Sequence, residues 1–148
     1  MVRNGVTLLA TLLLLGACGP RPPRSIGIAV AGTTVDVDAL IRAALQLDAA
    51  SDRAADTLYT PESQVIANGR ARFAHPRFAG VSYGGRITVG SSNVTVEGRW
   101  AWAAVDYRWI GSQAGQVEAG RATVVCVRRE RGWRILHVHS SQLLPWDR

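Results

Sequence analysis

Two histidines near the C-terminus, His137 and His139, have the types and spacing that could do chemistry most directly. Residues two apart on a β-strand share a face, so the two imidazoles could hold a metal ion together or act as acid and base. A zinc site would need a third ligand, and Asp106, Cys126 and His75 are the candidates. Histidines that only fix the sheet edge through satisfied hydrogen bonds are the favoured alternative. We therefore predict no metal or other cofactor.

A long predicted strand, residues 99–110, carries the other polar candidates. Side chains alternate along a strand, so Trp102, Asp106 and Arg108 share one face. Small and apolar residues occupy the opposite face. An arginine can bind a carboxylate through two parallel hydrogen bonds, so Arg108 is a candidate ligand for a small acid. An internal ion pair with Asp106 or Glu118 is the alternative, as is an exposed strand end.

The last two strands are expected to form a hairpin with a two-residue turn. In a regular hairpin His137 lies on the same face as Ile135, beside Val124 and Cys126 of the partner strand. Cys126 stands in a run of valines, which is typical of a small core residue rather than a nucleophile. No nucleophile elbow, phosphate loop or paired-carboxylate motif is present, and we predict no catalytic residue.

The elements that must position these residues follow from periodicity. Apolar residues at helical spacing predict an amphipathic helix from Asp36 to about Ala50. Ser51 and Asp52 open a short helix through Leu58, which Pro61 terminates. Strands are predicted at 64–67, 86–89, 94–96 running into 99–110, 121–129 and 133–141. The order predicts an α+β fold with N-terminal helices on one face of a mostly antiparallel sheet.

The segment 70–85 is predicted to be irregular because it holds Pro76 and several glycines. Its larger side chains are expected to close one end of the core, with a functional loop as the alternative. These side chains are Phe73, Phe78, Val81 and Tyr83.

Both faces of the sheet are apolar enough to need cover, and the helices can cover only one. A second subunit is expected on the other face, which makes the chain a homodimer or larger homo-oligomer. The apolar residues assigned to that face are Val105, Val125, Val127, Leu136 and Val138.

The N-terminus predicts export. One arginine precedes an apolar run too short to span a bilayer, which is typical of a secretory signal over residues 1–17. The run ends Leu15-Gly16-Ala17-Cys18, which resembles a bacterial lipobox whose cysteine is lipidated. Acyl chains on Cys18 would hold the protein on the membrane of the cell envelope. A plain secretory signal is the alternative. A proline-rich tether is predicted over 18–34, and the domain over 35–148.

Composition limits the classes of function. The 148 residues suit one domain, and two cysteines exclude a disulfide framework and a thiolate zinc ribbon. The formal net charge is +6, and all 17 basic residues are arginine. Because the arginines are scattered along the sequence, we interpret them as a soluble basic surface and predict no nucleic-acid partner.

The ending Gly132-Trp133-Arg134-Ile135-Leu136-His137-Val138-His139 resembles the last strand of SnoaL-like proteins and of the association domain of calcium/calmodulin-dependent kinase II. Both belong to the nuclear transport factor 2-like superfamily. Tyr59-Thr60-Pro61, Gly84-Gly85-Arg86-Ile87 and Gly120-Arg121-Ala122-Thr123 fit the same pattern, so the resemblance covers about residues 36–142.

The resemblance implies a cone-shaped fold with a pocket between the helices and a curved sheet, and frequent dimers or rings. It places Arg108 at a pocket arginine of the kinase association domain, whereas a second pocket arginine aligns with Val124. It implies a small, partly apolar ligand that could carry an acidic group, or self-assembly. An isomerase, dehydratase or hydrolase using acid–base catalysis is the alternative. The candidate pocket residues are Tyr83, Trp102, Asp106, Arg108, His137 and His139.

Overall fold

The computed structural model describes residues 31–144, with side chains from Thr34 onward. The predicted signal segment, Cys18 and most of the predicted tether lie outside the described residues. The elements are helix α1 (Ala31–Ala49), a 3-10 helix (Arg53–Leu58) and strands β1 (Tyr59–Ala67), β2 (Arg70–Ala71), β3 (Arg86–Glu97), β4 (Trp100–Ile110), β5 (Val117–Arg129) and β6 (Gly132–Gln142). Among the described residues, no helix is both long and apolar enough to cross a membrane.

The six strands form a single curved sheet in the order β2-β1-β6-β5-β4-β3. The pairing of β1 with β6 is parallel, and every other pairing is antiparallel. Helix α1 packs across one face of this sheet, against β3, β4 and β6. The predicted α+β cone, with a helical layer on a mostly antiparallel sheet, is confirmed.

Helix α1 forms the first layer of the core, as its spacing predicts. Val37, Ile41, Ala44 and Leu45 recur at helical spacing, and each is at most 1% exposed. The helix begins at Ala31, five residues before the predicted start. The low helix propensity of glycine and threonine hides this first turn in the sequence. Asp52 caps the 3-10 helix by accepting a 2.8 Å hydrogen bond from the Ala54 amide, as predicted.

Strand β3 is longer than the sequence suggests. The two short strands expected at 86–89 and 94–96 are one strand, whose register shifts at Gly90. The chain then turns back at Gly98 and Arg99, with Gly98 in the left-handed region at φ +59°. The expected continuation of 94–96 into 99–110 is therefore wrong, since a tight hairpin separates β3 from β4.

The β5–β6 hairpin has the predicted two-residue turn, because Arg129 pairs with Gly132. Its ladder is interrupted once. Cys126 pairs with Ile135, but Val125 pairs with His137, which leaves Leu136 as an extra residue in β6. We call this irregularity the Leu136 bulge. An extra residue reverses which positions face the core, so every β6 side chain beyond it points opposite to its expected direction.

The segment between β2 and β3 is irregular, as predicted, and it is held from inside by one carboxylate. Asp48, fully buried at the end of α1, accepts from the backbone amides of Arg77 (2.5 Å) and Phe78 (3.0 Å). Its other oxygen lies 2.9 Å from Nδ1 of His75. The guanidinium of Arg77 pairs with Asp56 and lies 4.6 Å from the centre of the Tyr59 ring. Asp48 therefore fixes the loop to the helix end.

The loop closes the core with only half of the side chains expected. Phe78 and Val81 are 2% and 5% exposed, whereas Phe73 and Tyr83 are 92% and 74% exposed. Asp48 fixes the backbone beside Phe78, which is why that ring enters the core. The expectation that Phe73 and Tyr83 help to close the core is wrong.

The buried carboxylate of Asp48 and the exposed carboxylate of Asp56 should contribute very differently to the free energy of unfolding. Replacing Asp48 with alanine leaves several buried donors unpaired, and each costs about 1–3 kcal/mol. We expect Asp48→Ala to lower the free energy of unfolding by about 3 kcal/mol or more. Asp56→Ala, the control, removes an exposed partner of Arg77 and should cost about 1 kcal/mol or less. Urea denaturation measures both, and equal losses would contradict the role given to Asp48.

Candidate functional site

The predicted site residues of β4 lie on the sheet face that points away from α1, which we call the outer face. Trp102, Asp106 and Arg108 are all on it, whereas Ala103 and Tyr107 between them are buried in the core. The expectation that the first three line a pocket beneath the helix is therefore corrected. Alanines on the core side allow α1 to approach the sheet closely, and tryptophans there would not.

Both predicted histidines also lie on the outer face. Beyond the Leu136 bulge, His137 pairs with Val125 and His139 with Thr123, while Val138 and Ser140 are buried on the core side. The sequence predicts the polar residues of β4 on the helix side and a regular β5–β6 hairpin. Both expectations are wrong, and together they still leave these residues on one face. The histidines and the β4 residues share one face after all, but it is the face opposite α1.

The apolar residues expected on the outer face divide between the two faces. Val105 and Val138 are buried in the core, which corrects their assignment. Val125 and Leu136 are half-buried on the outer face, and Val127 is buried there beneath its neighbours. Trp100 and Trp102, by contrast, expose 44% and 42% of their surface. The outer face is thus more aromatic than the sequence assignment implied.

Asp106 is an ion-paired carboxylate. Nε of Arg121 donates to it at 2.7 Å, and the Ser91 hydroxyl donates at 2.8 Å. These two hydrogen bonds hold the pKa of Asp106 below its usual value. At neutral pH the group is therefore ionised and has no proton to give, so it is not suited to act as a general acid.

Arg108 borders a cavity of about 410 Å³ on the outer face. Asp106, Arg121 and Leu143 also line it, but neither histidine does. Tyr83, in the loop before β3, does not border this cavity. The structure thus brings Arg108 and Asp106 together at one opening and leaves the other candidate pocket residues outside it.

The space between α1 and the sheet, where the pocket was expected, holds packed aromatic side chains. Phe78 and Tyr107 meet edge to face with ring centres 5.8 Å apart, and Trp109 is 5% exposed. The Tyr107 hydroxyl donates at 2.7 Å to the Ala79 carbonyl. Gly120 lies so close that an added Cβ would be 2.4 Å from this ring. Of the three cavities found among the described residues, one touches α1. It has about 430 Å³, lies between Thr34, Val35 and Asp38 near the start of the helix and Ser92, Asn93 and Val94 of β3, and does not border the packed aromatic rings.

Cys126 lies in the same core and is fully buried. Burial raises the pKa of its thiol to about 12, so the thiolate is scarce at neutral pH. It faces α1, whereas the histidines once considered as its co-ligands face outward. Across the part of the chain that is described, no three His, Cys, Asp or Glu side chains are grouped to hold a metal ion.

A different group of residues meets at the end of the sheet where the β3–β4 and β5–β6 hairpins turn. A cavity of about 1000 Å³ lies there, and we call it the arginine groove. The five arginines that line it are Arg99, Arg128, Arg129, Arg131 and Arg134. The interpretation of the arginines as scattered is wrong for this group, because four of the five lie within residues 128–134 and only Arg99 is distant in sequence. Only the pairing of β4 with β5 brings the two hairpin turns together.

Comparisons with known proteins agree on the fold. Residues 37–145 match the SnoaL-like domain family. A nuclear transport factor 2-like protein with a cystatin-like fold from Novosphingobium aromaticivorans is 19% identical, with a TM-score of 0.64 over 77% of this chain and 84% of that chain. A nuclear transport factor 2-like superfamily protein from Salmonella enterica is 20% identical, with a TM-score of 0.60 over 78% and 94%.

A ketosteroid isomerase-like protein from Erwinia carotovora atroseptica is 17% identical, with a TM-score of 0.57 over 78% of this chain and 99% of that chain. At these identities the likeness shows the fold alone. No curated protein matches the chain. The family match covers most of the sequence, so this chain belongs to the SnoaL-like family within the nuclear transport factor 2-like superfamily.

Proposed function

We propose that this chain is a lipid-anchored protein of the bacterial cell envelope whose SnoaL-like domain pairs with a second copy through its outer face. The observation that carries the proposal is the exposure of Trp100 and Trp102 side by side with apolar neighbours, on a sheet face that no helix of residues 31–144 covers. Large exposed apolar patches mark interaction sites in soluble domains. A two-fold pairing would bury the same patch on both copies.

The composition of the outer face supports an interface with a second copy. Tryptophan, arginine and tyrosine are the residues most enriched among binding hot spots, and Trp100 and Trp102 are the first and third residues of β4. Its neighbours across the sheet are Thr95 and Val125. A flat array of β-branched and aromatic side chains suits sheet-on-sheet packing.

Binding of a small molecule is the second role proposed, and the position of Arg108 indicates where the molecule would bind. A cavity of about 410 Å³ is within the range of small-ligand sites, and a guanidinium suits an acidic group. On this proposal the ligand sits on the outer face, near the second copy. A ligand in the cone would have to displace Phe78 and Tyr107, so that site is not favoured.

The enzyme alternative has less support. Acid–base catalysis needs titratable groups beside a cavity, with pKa values suited to proton transfer. Asp106 is ionised and paired with Arg121, and the two histidines lie outside the cavity that it borders. The name of the ketosteroid isomerase-like neighbour is therefore not extended to this chain.

The anchor is proposed from the sequence Leu15-Gly16-Ala17-Cys18, after a short apolar run with one preceding arginine. Lipidation at Cys18 gives membrane attachment without a spanning helix. A proline-rich tether would hold the domain clear of the membrane surface.

Substitution of Trp102 tests the proposed pairing. We expect the full chain in detergent to be dimeric by native mass spectrometry. Trp102→Arg should raise the dimer dissociation constant by about tenfold or more, because it places a charge in a buried hot spot. Phe73→Arg is the matched control, since Phe73 is an exposed aromatic residue just after β2, at the opposite edge of the sheet from β3 and β4. It should leave the dimer intact. A monomeric wild type, or equal weakening by both variants, would refute the pairing.

Replacement of Cys18 tests the anchor. Expressed in a bacterial host with labelled palmitate, the wild type should carry label and sediment with membranes, and Cys18→Ser should do neither. Cys126→Ala should still be labelled, because that thiol is buried in the domain core. Unlabelled wild-type protein in the soluble periplasmic fraction would contradict the anchor.

A further inference from the structure

The arginine groove is built by backbone contacts that hold two hairpin turns together. The Arg128 amide donates a 2.8 Å hydrogen bond to the Arg99 carbonyl, which ties the β5–β6 hairpin to the β3–β4 hairpin. Nη1 of Arg134 donates at 2.8 Å to the Trp133 carbonyl. The arginines are therefore positioned by the sheet rather than by long flexible loops. This lowers the conformational entropy that the protein loses when a ligand binds.

The charges in the groove are unbalanced. Five arginines line it against two glutamates, Glu62 and Glu130. Of the five, only Arg129 forms an ion pair with another described residue, and its partner is Glu62. Like charges gathered in one cavity repel, and an anion that enters relieves the repulsion. The groove thus carries more positive charge than its two glutamates neutralise.

A buried hydroxyl in the groove also lacks a partner. Thr60 lines the groove and is 4% exposed, and its Oγ1 makes no hydrogen bond within the described chain. Buried polar groups are normally paired, and an unpaired one costs stability. The oxygen itself is shielded from solvent, so a ligand in the groove would reach it only after neighbouring side chains shift. The case for an anionic ligand therefore rests on the arginines and on the cavity that they line.

We propose that the arginine groove binds a molecule carrying clustered phosphate groups. Guanidinium groups bind phosphate through two parallel hydrogen bonds, and phosphate oxygens point in several directions. That matches arginines that come from two hairpins and surround a cavity of about 1000 Å³, which is too large for one ion. A soluble polyphosphorylated molecule and a surface of phosphate-bearing lipid headgroups present the same chemistry. The groove does not depend on pairing through the outer face.

Binding of tripolyphosphate to the full chain in detergent, measured by calorimetry, tests the soluble source. The groove variant is Arg128→Ala with Arg131→Ala, which removes two exposed arginines that are in no ion pair. The control is Arg70→Ala with Arg72→Ala, which removes the same charge from exposed positions near β2. We expect the groove variant to lose about tenfold or more in affinity for each arginine that contacts the ligand, and the control to change little.

Flotation of the same proteins with phosphatidylcholine vesicles, with or without phosphatidic acid, tests the lipid source. The acyl anchor binds both vesicle types equally. The quantity compared is therefore the increase in the floated fraction of protein when phosphatidic acid is added. Loss of that gain in the groove variant but not in the control supports headgroup binding.

A defect specific to the groove variant in either assay supports the proposal, and the assay that shows it identifies the source. Equal losses in the groove and control variants would overturn it, because net charge alone would then explain binding. Absence of binding in both assays would also overturn it. Citrate bound as tightly as tripolyphosphate would overturn the assignment to phosphate. Thermal unfolding of each variant confirms that the fold is intact.

Discussion

One extra residue in strand β6 determines which side chains this protein presents to its surroundings. The Leu136 bulge breaks the alternation between Ile135 and His137, so that both histidines point away from helix α1. Without it, the odd-numbered residues would continue on the core side and two imidazoles would enter an apolar layer. Val138 and Ser140 take those places instead, and both are buried. The division between core and outer face follows from this bulge and from the register of β4.

The interior of the cone is used for packing, and the features that could bind other molecules lie at its surface. Phe78, Tyr107 and Trp109 occupy the space between helix and sheet, and Gly120 is needed where Tyr107 passes over it. The outer face and the arginine groove are both products of the sheet order, which brings β4 beside β5. A shared fold therefore gives no guide to function here, because what is distinctive lies in surface residues.

Periodic features could be predicted from the sequence, and single interruptions could not. The buried stripe of α1, the cap at Asp52 and the two-residue turn before β6 each follow from local spacing. The Leu136 bulge leaves no local signal, because Trp133 to His139 reads as an uninterrupted strand. Asp48 looks like an ordinary helix-end carboxylate, and its partners lie about thirty residues away in the chain. The arginine groove joins Arg99 to Arg128 and needs the topology as well.

The register of the β5–β6 ladder tests the account most directly. Interstrand nuclear Overhauser effects between backbone protons of assigned, isotope-labelled protein report which residues face each other across the two strands. The account predicts contacts of His137 with Val125 and of Ile135 with Cys126, with Leu136 unpaired between them. Contacts of His137 with Val124, as in a regular hairpin, would contradict it. Both histidines would then lie beneath α1, and Val138 and Ser140 would point to the outer face.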